Sequence, residues 1–166
     1  MTTRNDDEAL ALLVAAVAAE MKAHGRMLAT AESCTGGWIA KVCTDLAGSS
    51  VWFERGVVSY SNESKQELLG VPKGTIFRFG AVSEEVAAAM AAGILERSQA
   101  DYGIAVSGIA GPGGGSPDKP VGTVCFGWAL PDEVLETELH LFPGDRDAIR
   151  RATVVAALEG LLRRLN

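Results

Sequence analysis

Leu28-Ala-Thr-Ala-Glu-Ser-Cys-Thr-Gly-Gly-Trp-Ile-Ala-Lys41 reads as a short strand that ends in a tight turn and opens a helix. In α/β proteins such a junction holds ligands, because strand carbonyls end there and the helix begins with unpaired N–H groups. Gly36 and Gly37 let a ligand approach the backbone without meeting a Cβ, and Glu32, Ser33, Cys34 and Thr35 crowd the turn with hydrogen-bonding or reactive side chains. A capped helix start with Ser33 or Thr35 as N-cap is the structural alternative.

Upstream, Leu10, Leu13, Val14, Val17 and Met21 recur at helical spacing between acids and Gly25, which predicts an amphipathic helix over 6–24. Downstream of the turn, Trp38, Ile39, Val42, Cys43 and Leu46 share a helix face until Gly48, so Cys43 belongs to the core. Residues 49–61 are β-branched and aromatic, which predicts a strand with a bulge at Gly56. Asn62 then caps a helix from Glu63 to Leu69, residues 72–81 form a loop, and Ser83 opens an Ala-rich helix to about Ser98. Tyr102 to Val106 is a central strand running into the glycine-rich Ser107-Gly-Ile-Ala-Gly-Pro-Gly-Gly-Gly-Ser-Pro-Asp-Lys-Pro120. Two further strands, 122–130 and 134–142, precede a last helix capped by Asp145. This order predicts a three-layer α/β/α sandwich with a mixed, mostly parallel sheet of about five strands, formed by residues 1–166 as one domain.

The chain of 166 residues carries a net charge of −6 and no basic tract, which argues against nucleic acid as the main partner. Its longest apolar run is too short and too charged to span a bilayer, and acids at positions 6–8 stand where a signal peptide needs cations. Three cysteines form no even framework and no metal-ligand spacing, so a reducing cytoplasmic setting without a structural metal is expected. The loop 107–115 matches neither a P-loop nor a dinucleotide fingerprint, but its successive N–H groups suit an anion nest to which Ser107, Gly108 and Gly111 contribute.

Three nucleophile schemes compete. Cys34 sits where a helix N-terminus would favour its thiolate, yet His24 ends the first helix and His140 lies in an edge-like strand, so no Cys–His or Ser–His–Asp set is in evidence. A serine activated by lysine is more economical: Ser33, Ser50, Ser59 and Ser61 are available, and Lys65 stands in the first turn of a helix, where the dipole disfavours a cation. Arg146 stands at another helix start, where it either binds an anion or pairs with Asp145.

Taken in order, Glu32-Ser-Cys-Thr-Gly-Gly37, Gly56-Val-Val-Ser-Tyr-Ser-Asn-Glu-Ser-Lys65, Ser107-Gly-Ile-Ala-Gly-Pro-Gly-Gly114, Pro120-Val-Gly-Thr-Val124 and Phe142-Pro-Gly-Asp-Arg146 resemble the CinA C-terminal-domain family. The resemblance implies an α/β/α amidase that hydrolyses the carboxamide of nicotinamide mononucleotide to nicotinate mononucleotide and ammonia, with no metal and no cofactor. It also implies Ser50 as nucleophile and Lys65 as base, with Ser33, Tyr60 and Arg146 lining or supporting the site. Ser107 stands where the family usually has Thr and keeps the hydroxyl, and Cys34, Thr35, Gly36, Gly37, Gly108 and Gly111 fall in the substrate-binding segments. A homo-oligomer, dimer or higher, is expected on the same ground. A non-catalytic nucleotide-binding or regulatory module of the same fold is the alternative, against which the intact Ser50 and Lys65 argue.

Overall fold

The structure, a computed structural model, describes residues 2–165. Helix α1 (Thr2–Ala23) ends at Gly25 and is followed by strand β1 (Leu28–Glu32), the turn 33–37 and helix α2 (Trp38–Asp45). Strand β2 (Phe53–Val58), helices α3 (Asn62–Leu69), α4 (Lys73–Phe79) and α5 (Glu84–Glu96), strands β3 (Tyr102–Gly108), β4 (Thr123–Ala129) and β5 (Leu135–Leu141), and helix α6 (Arg146–Arg164) complete the order. The sheet runs β2-β1-β3-β4-β5, with β1 parallel to both β2 and β3, and β4 and β5 added antiparallel. Helices cover both faces: α1, α2 and α6 pack together on one, and α3, α4 and α5 on the other.

Burial explains the strand chemistry. Strands β1, β3 and β4 lie inside the sheet with hardly a residue exposed, so they are apolar on both sides rather than alternating. Alternation still decides which layer each side chain joins: Leu28 enters the core shared with α1, α2 and α6, whereas Ala29 and Ala31 enter the core beneath α5. Continuing that alternation sends Thr30 and Glu32 toward α2 and Ser33 toward α3 and α5.

Four local readings change. The strand predicted over 49–61 is confined to Phe53–Val58, and Ser49–Val51 form a 3-10 turn that opens after the left-handed Gly48. Residues 73–79 form α4 rather than loop, because Pro72 supplies the N-cap backbone and Gly80 the stop around a helix that buries only Ile76. Ser61, not Asn62, caps α3, its hydroxyl accepting from the Ser64 N–H. The irregularity in the β1–β2 ladder falls between Leu28 and Ala29 and not at Gly56. Gly56 answers a close approach instead, since a Cβ there would lie 2.8 Å from the Ala40 Cβ and 2.9 Å from the Thr30 hydroxyl oxygen.

Candidate active site

The strand order reverses direction around β1, so the carboxyl ends of β1 and β3 diverge into the loops 33–37 and 109–122 and leave a crevice there. Parallel pairing then does what sequence distance hides. Glu32 is level with Val58 on one side and Val106 on the other, and the ladder continues with Ser59 N–H donating to Glu32 O and Ser33 N–H donating to Val106 O. One step further, Ser59, Ser33 and Ser107 stand side by side at the ends of three adjacent strands, on the face covered by α3 and α5.

Lys65 enters this row from α3. Its amine donates to Ser33 Oγ at 2.9 Å, to the Ser59 carbonyl at 3.0 Å and to the Tyr60 carbonyl at 2.9 Å, and the residue is only 1% exposed. Burial pushes its pKa below the ordinary lysine value, a direction that the neighbouring Cys34 opposes only when charged. Cys34 is itself buried, and loss of solvent drives its pKa up to about 11, so it stays a thiol at neutral pH. The idea of a stabilised Cys34 thiolate is therefore overturned. In a neutral amine the two N–H bonds serve the two carbonyls and the lone pair faces the Ser33 hydroxyl.

The turn between them is held from two sides. Glu32, 1% exposed, accepts from the Thr35 hydroxyl at 2.5 Å and from the Ile39 and Ala40 N–H groups at 2.8 and 3.0 Å. Gly37, at φ 99°, occupies the N-cap position of α2 without a side chain to cap it, and the Glu32 carboxylate takes that role. The start of α2 is thus already occupied by an internal anion, which corrects the expectation that it is open to a ligand. From α6, Arg150 donates to the Cys34 and Thr35 carbonyls at 3.0 Å each, and the Gly36 N–H returns to Ser33 O. Among the described residues no acceptor outside Cys34 takes its N–H, and none takes the Thr35 N–H.

Ser50 is not brought to Lys65. It is exposed in a short 3-10 turn, residues 49–51, before β2, whereas Lys65 follows β2, and the six residues of that strand span about 20 Å. The Tyr60 side chain is 64% exposed, and it is the Tyr60 carbonyl that joins the site. Ser107 is buried and donates to the Ala81 carbonyl at 2.8 Å, while Gly108 abuts Cys34, whose sulfur would lie 3.2 Å from a Cβ at that position. Arg146 donates to the Gly111 carbonyl at 2.7 Å and forms no ion pair with Asp145, whose carboxylate caps α6 at Ala148 N–H. Three features escaped the sequence reading, the first being Arg150, whose hold on the turn from α6 joins residues remote in the chain. Lys119 donates to the Phe79 carbonyl at 2.7 Å and ties the glycine-rich loop to the end of α4, and the fully buried Ser59 hydroxyl has no partner. The Lys in Pro117-Asp-Lys-Pro120 could have been noticed as the one cation of the glycine-rich segment 107–120; nothing in the sequence marked Ser59 apart from its neighbours.

A cavity of about 710 Å³ lies between α1, α2 and α6 and is lined by Leu10, Trp38, Val42, Arg150 and Arg151. It reaches the back of Gly36 and Gly37 but includes neither Ser33 nor Lys65, so it is separate from the chemistry at the strand ends. Among the described residues no group of three His, Cys, Asp or Glu side chains converges to hold a metal ion, and no helix is long and apolar enough to cross a membrane.

Residues 10–165 match the family model for the CinA C-terminal domain. The chain is 52% identical over 155 residues to the nicotinamide-nucleotide amidohydrolase PncC of Escherichia coli K12, covering 93% of this chain and 94% of that protein. It is 50% identical to a CinA-like protein of Mycolicibacterium gilvum, of which it covers 36%. Among solved structures, the competence/damage-inducible protein CihA of Agrobacterium tumefaciens superposes with a TM-score of 0.90 at 43% identity over 93% of this chain and 94% of that one. The Klebsiella pneumoniae competence damage-inducible protein A gives 0.91 at 40% identity over 94% and 96%. With five motif segments, the strand order and these matches in agreement, the chain belongs to the CinA C-terminal domain family.

Proposed function

We propose that the chain is a nicotinamide-nucleotide amidase that hydrolyses nicotinamide mononucleotide to nicotinate mononucleotide and ammonia, with Ser33 as nucleophile and Lys65 as its base. The observation that carries the mechanism is the 2.9 Å contact between a buried Lys65 amine and Ser33 Oγ. The substrate class rests on the 52% identity to the Escherichia coli nicotinamide-nucleotide amidohydrolase.

In the first half-reaction Ser33 Oγ attacks the carboxamide carbon as its proton passes to the Lys65 amine. The Cys34 and Thr35 N–H groups, next along the turn, supply donors for the developing oxyanion. Lys65 then gives its proton to the departing nitrogen, ammonia leaves, and a serine ester remains. Water, deprotonated by the same amine, cleaves the ester to the nicotinate nucleotide and restores Ser33. The ammonium form of Lys65 is accommodated at each turnover because all three of its N–H bonds then have acceptors. Arg146 and the glycine-rich loop it braces supply the anion site for the substrate phosphate.

The reading extends to a cytoplasmic homo-oligomer. Strand β5 is a sheet edge whose Leu135, Leu139 and Leu141 are exposed, and pairing with a second copy would cover them.

The test is to incubate the protein with nicotinamide mononucleotide and, separately, with nicotinamide riboside, and to measure ammonia. Release from the nucleotide, at least tenfold slower from the riboside, is expected from loss of a charge-assisted phosphate contact. No release from the nucleotide would favour the binding-module alternative.

A further inference from the structure

We propose that Glu32 is the positioning residue of this site: its buried carboxylate sets the turn that aims Ser33 at Lys65, without taking part in proton transfer. The inference rests on the amidase reading of Ser33 and Lys65.

Strand alternation places Glu32 and Ser33 on opposite faces of the sheet, so the carboxylate points under α2 and away from the reacting atoms. A carboxylate in the last strand position of an otherwise apolar segment is unusual, since burying one is costly unless every lone pair is met. Here three donors meet it, Thr35 from within the turn and Ile39 and Ala40 from the first turn of α2. One side chain therefore fixes residues 35, 39 and 40 relative to strand β1, with Ser33 the first residue between. The N-cap residue of α2 is a left-handed glycine with no side chain to cap the helix, and among the described residues no other side chain accepts from the Ile39 or Ala40 N–H. Arg150 holds the outer side of the same turn through the Cys34 and Thr35 carbonyls.

This arrangement discriminates Glu32 from a reserve base. A glutamate poised for proton transfer would face Ser33 Oγ or the crevice; this one faces backbone donors that require it to remain an acceptor. Replacing Glu32 with Gln keeps the shape but turns an NH2 group toward a backbone N–H, so α2 and the turn must shift apart. A displacement of about 1 Å at a nucleophile is enough to cost about a hundredfold in rate. Thr35→Val removes one of the three donors with little change of volume and leaves the backbone pair intact.

The experiment compares wild type, Glu32→Gln and Thr35→Val for kcat, KM and the pH dependence of kcat on nicotinamide mononucleotide, alongside circular dichroism and thermal melting. Turnover by the wild type comes first: its absence refutes the amidase reading and leaves the role of Glu32 to be judged by melting alone, where no loss in Glu32→Gln would overturn a fixing role. With wild-type turnover in hand, Glu32→Gln is expected to lower kcat about a hundredfold. KM and the midpoint of the pH profile are expected to stay unchanged, and Thr35→Val is expected to lose roughly tenfold. Wild-type kcat in both variants, or a moved pH midpoint in Glu32→Gln, would overturn the proposal, the latter by making Glu32 part of the proton chemistry. Should Glu32→Gln fail to fold, Thr35→Val decides: reduced kcat with an unmoved midpoint supports the positioning role, and unchanged kcat refutes it.

Discussion

Substituting Lys65 by Arg separates a base from a fixed charge. The amine is buried with 2.9–3.0 Å contacts to one hydroxyl and two carbonyls, and burial lowers its pKa from the ordinary value. Arginine retains a cation and can satisfy carbonyls, but its guanidinium does not give up a proton at any working pH. General-base catalysis contributes about 10² to 10⁴ in rate, equivalent to about 2.7 to 5.5 kcal/mol of barrier. Lys65→Arg is therefore expected to lose at least a hundredfold in kcat for ammonia release. A melting curve must accompany the assay, because the larger head has to fit a site that is 1% exposed. The wild-type pH profile carries the same logic. The neutral amine is the active form and its pKa is lowered, so the rate rises with pH, and half-maximal activity falls below the usual lysine value of about 10.4. A folded Lys65→Arg enzyme within tenfold of wild type would refute the proton-transfer role and leave Lys65 an electrostatic anchor.

Other consequences follow from burial and close packing. Iodoacetamide at pH 7 is expected to leave activity intact, since Cys34 is 6% exposed with a thiol pKa pushed up to about 11; rapid inactivation with Cys34 modified would contradict its assignment as an inert thiol. Gly93→Ala would drive a Cβ into the Leu69 carbonyl where α5 crosses α3, which predicts a loss of about 1–3 kcal/mol, read as a lower melting temperature; an unchanged melt would mean the two helices can part freely.

Much of the fold was legible because local rules governed it. The glycine stop after α1, the strand–turn–helix at 28–41 and the uniformly apolar strands β3 and β4 all follow from periodicity and turn chemistry. Helix α4 was not, because its seven residues bury little and carry no apolar stripe long enough to register against the glycines and proline around them. The site was legible in part. Lys65 stood out since a cation in the first turn of a helix opposes the dipole, and the structure gives the compensation as two strand-end carbonyls and a serine. Which serine could not be read locally: Ser50 is nearer to Lys65 in sequence than Ser33 is, and only the parallel pairing of β1 with β2 puts Ser33 beside Ser59 and Lys65. Glu32 was visible as a residue in a reactive turn, but its direction depends on the strand register, which sends it to the face opposite Ser33.

The central claim is that Ser33, and not Ser50, is the nucleophile served by Lys65, and the direct measurement is kcat for ammonia release by Ser33→Ala and Ser50→Ala, assayed side by side with wild type. The account predicts that Ser33→Ala loses at least a thousandfold, as removal of a nucleophile does in serine hydrolases. Ser50→Ala, altered in an exposed turn beyond the far end of β2, should keep kcat within about threefold of wild type, since surface substitutions away from the reacting groups change little. The reverse pattern, with Ser33→Ala active and Ser50→Ala dead, would contradict the account and require Ser50 to reach Lys65 from a second copy of the chain.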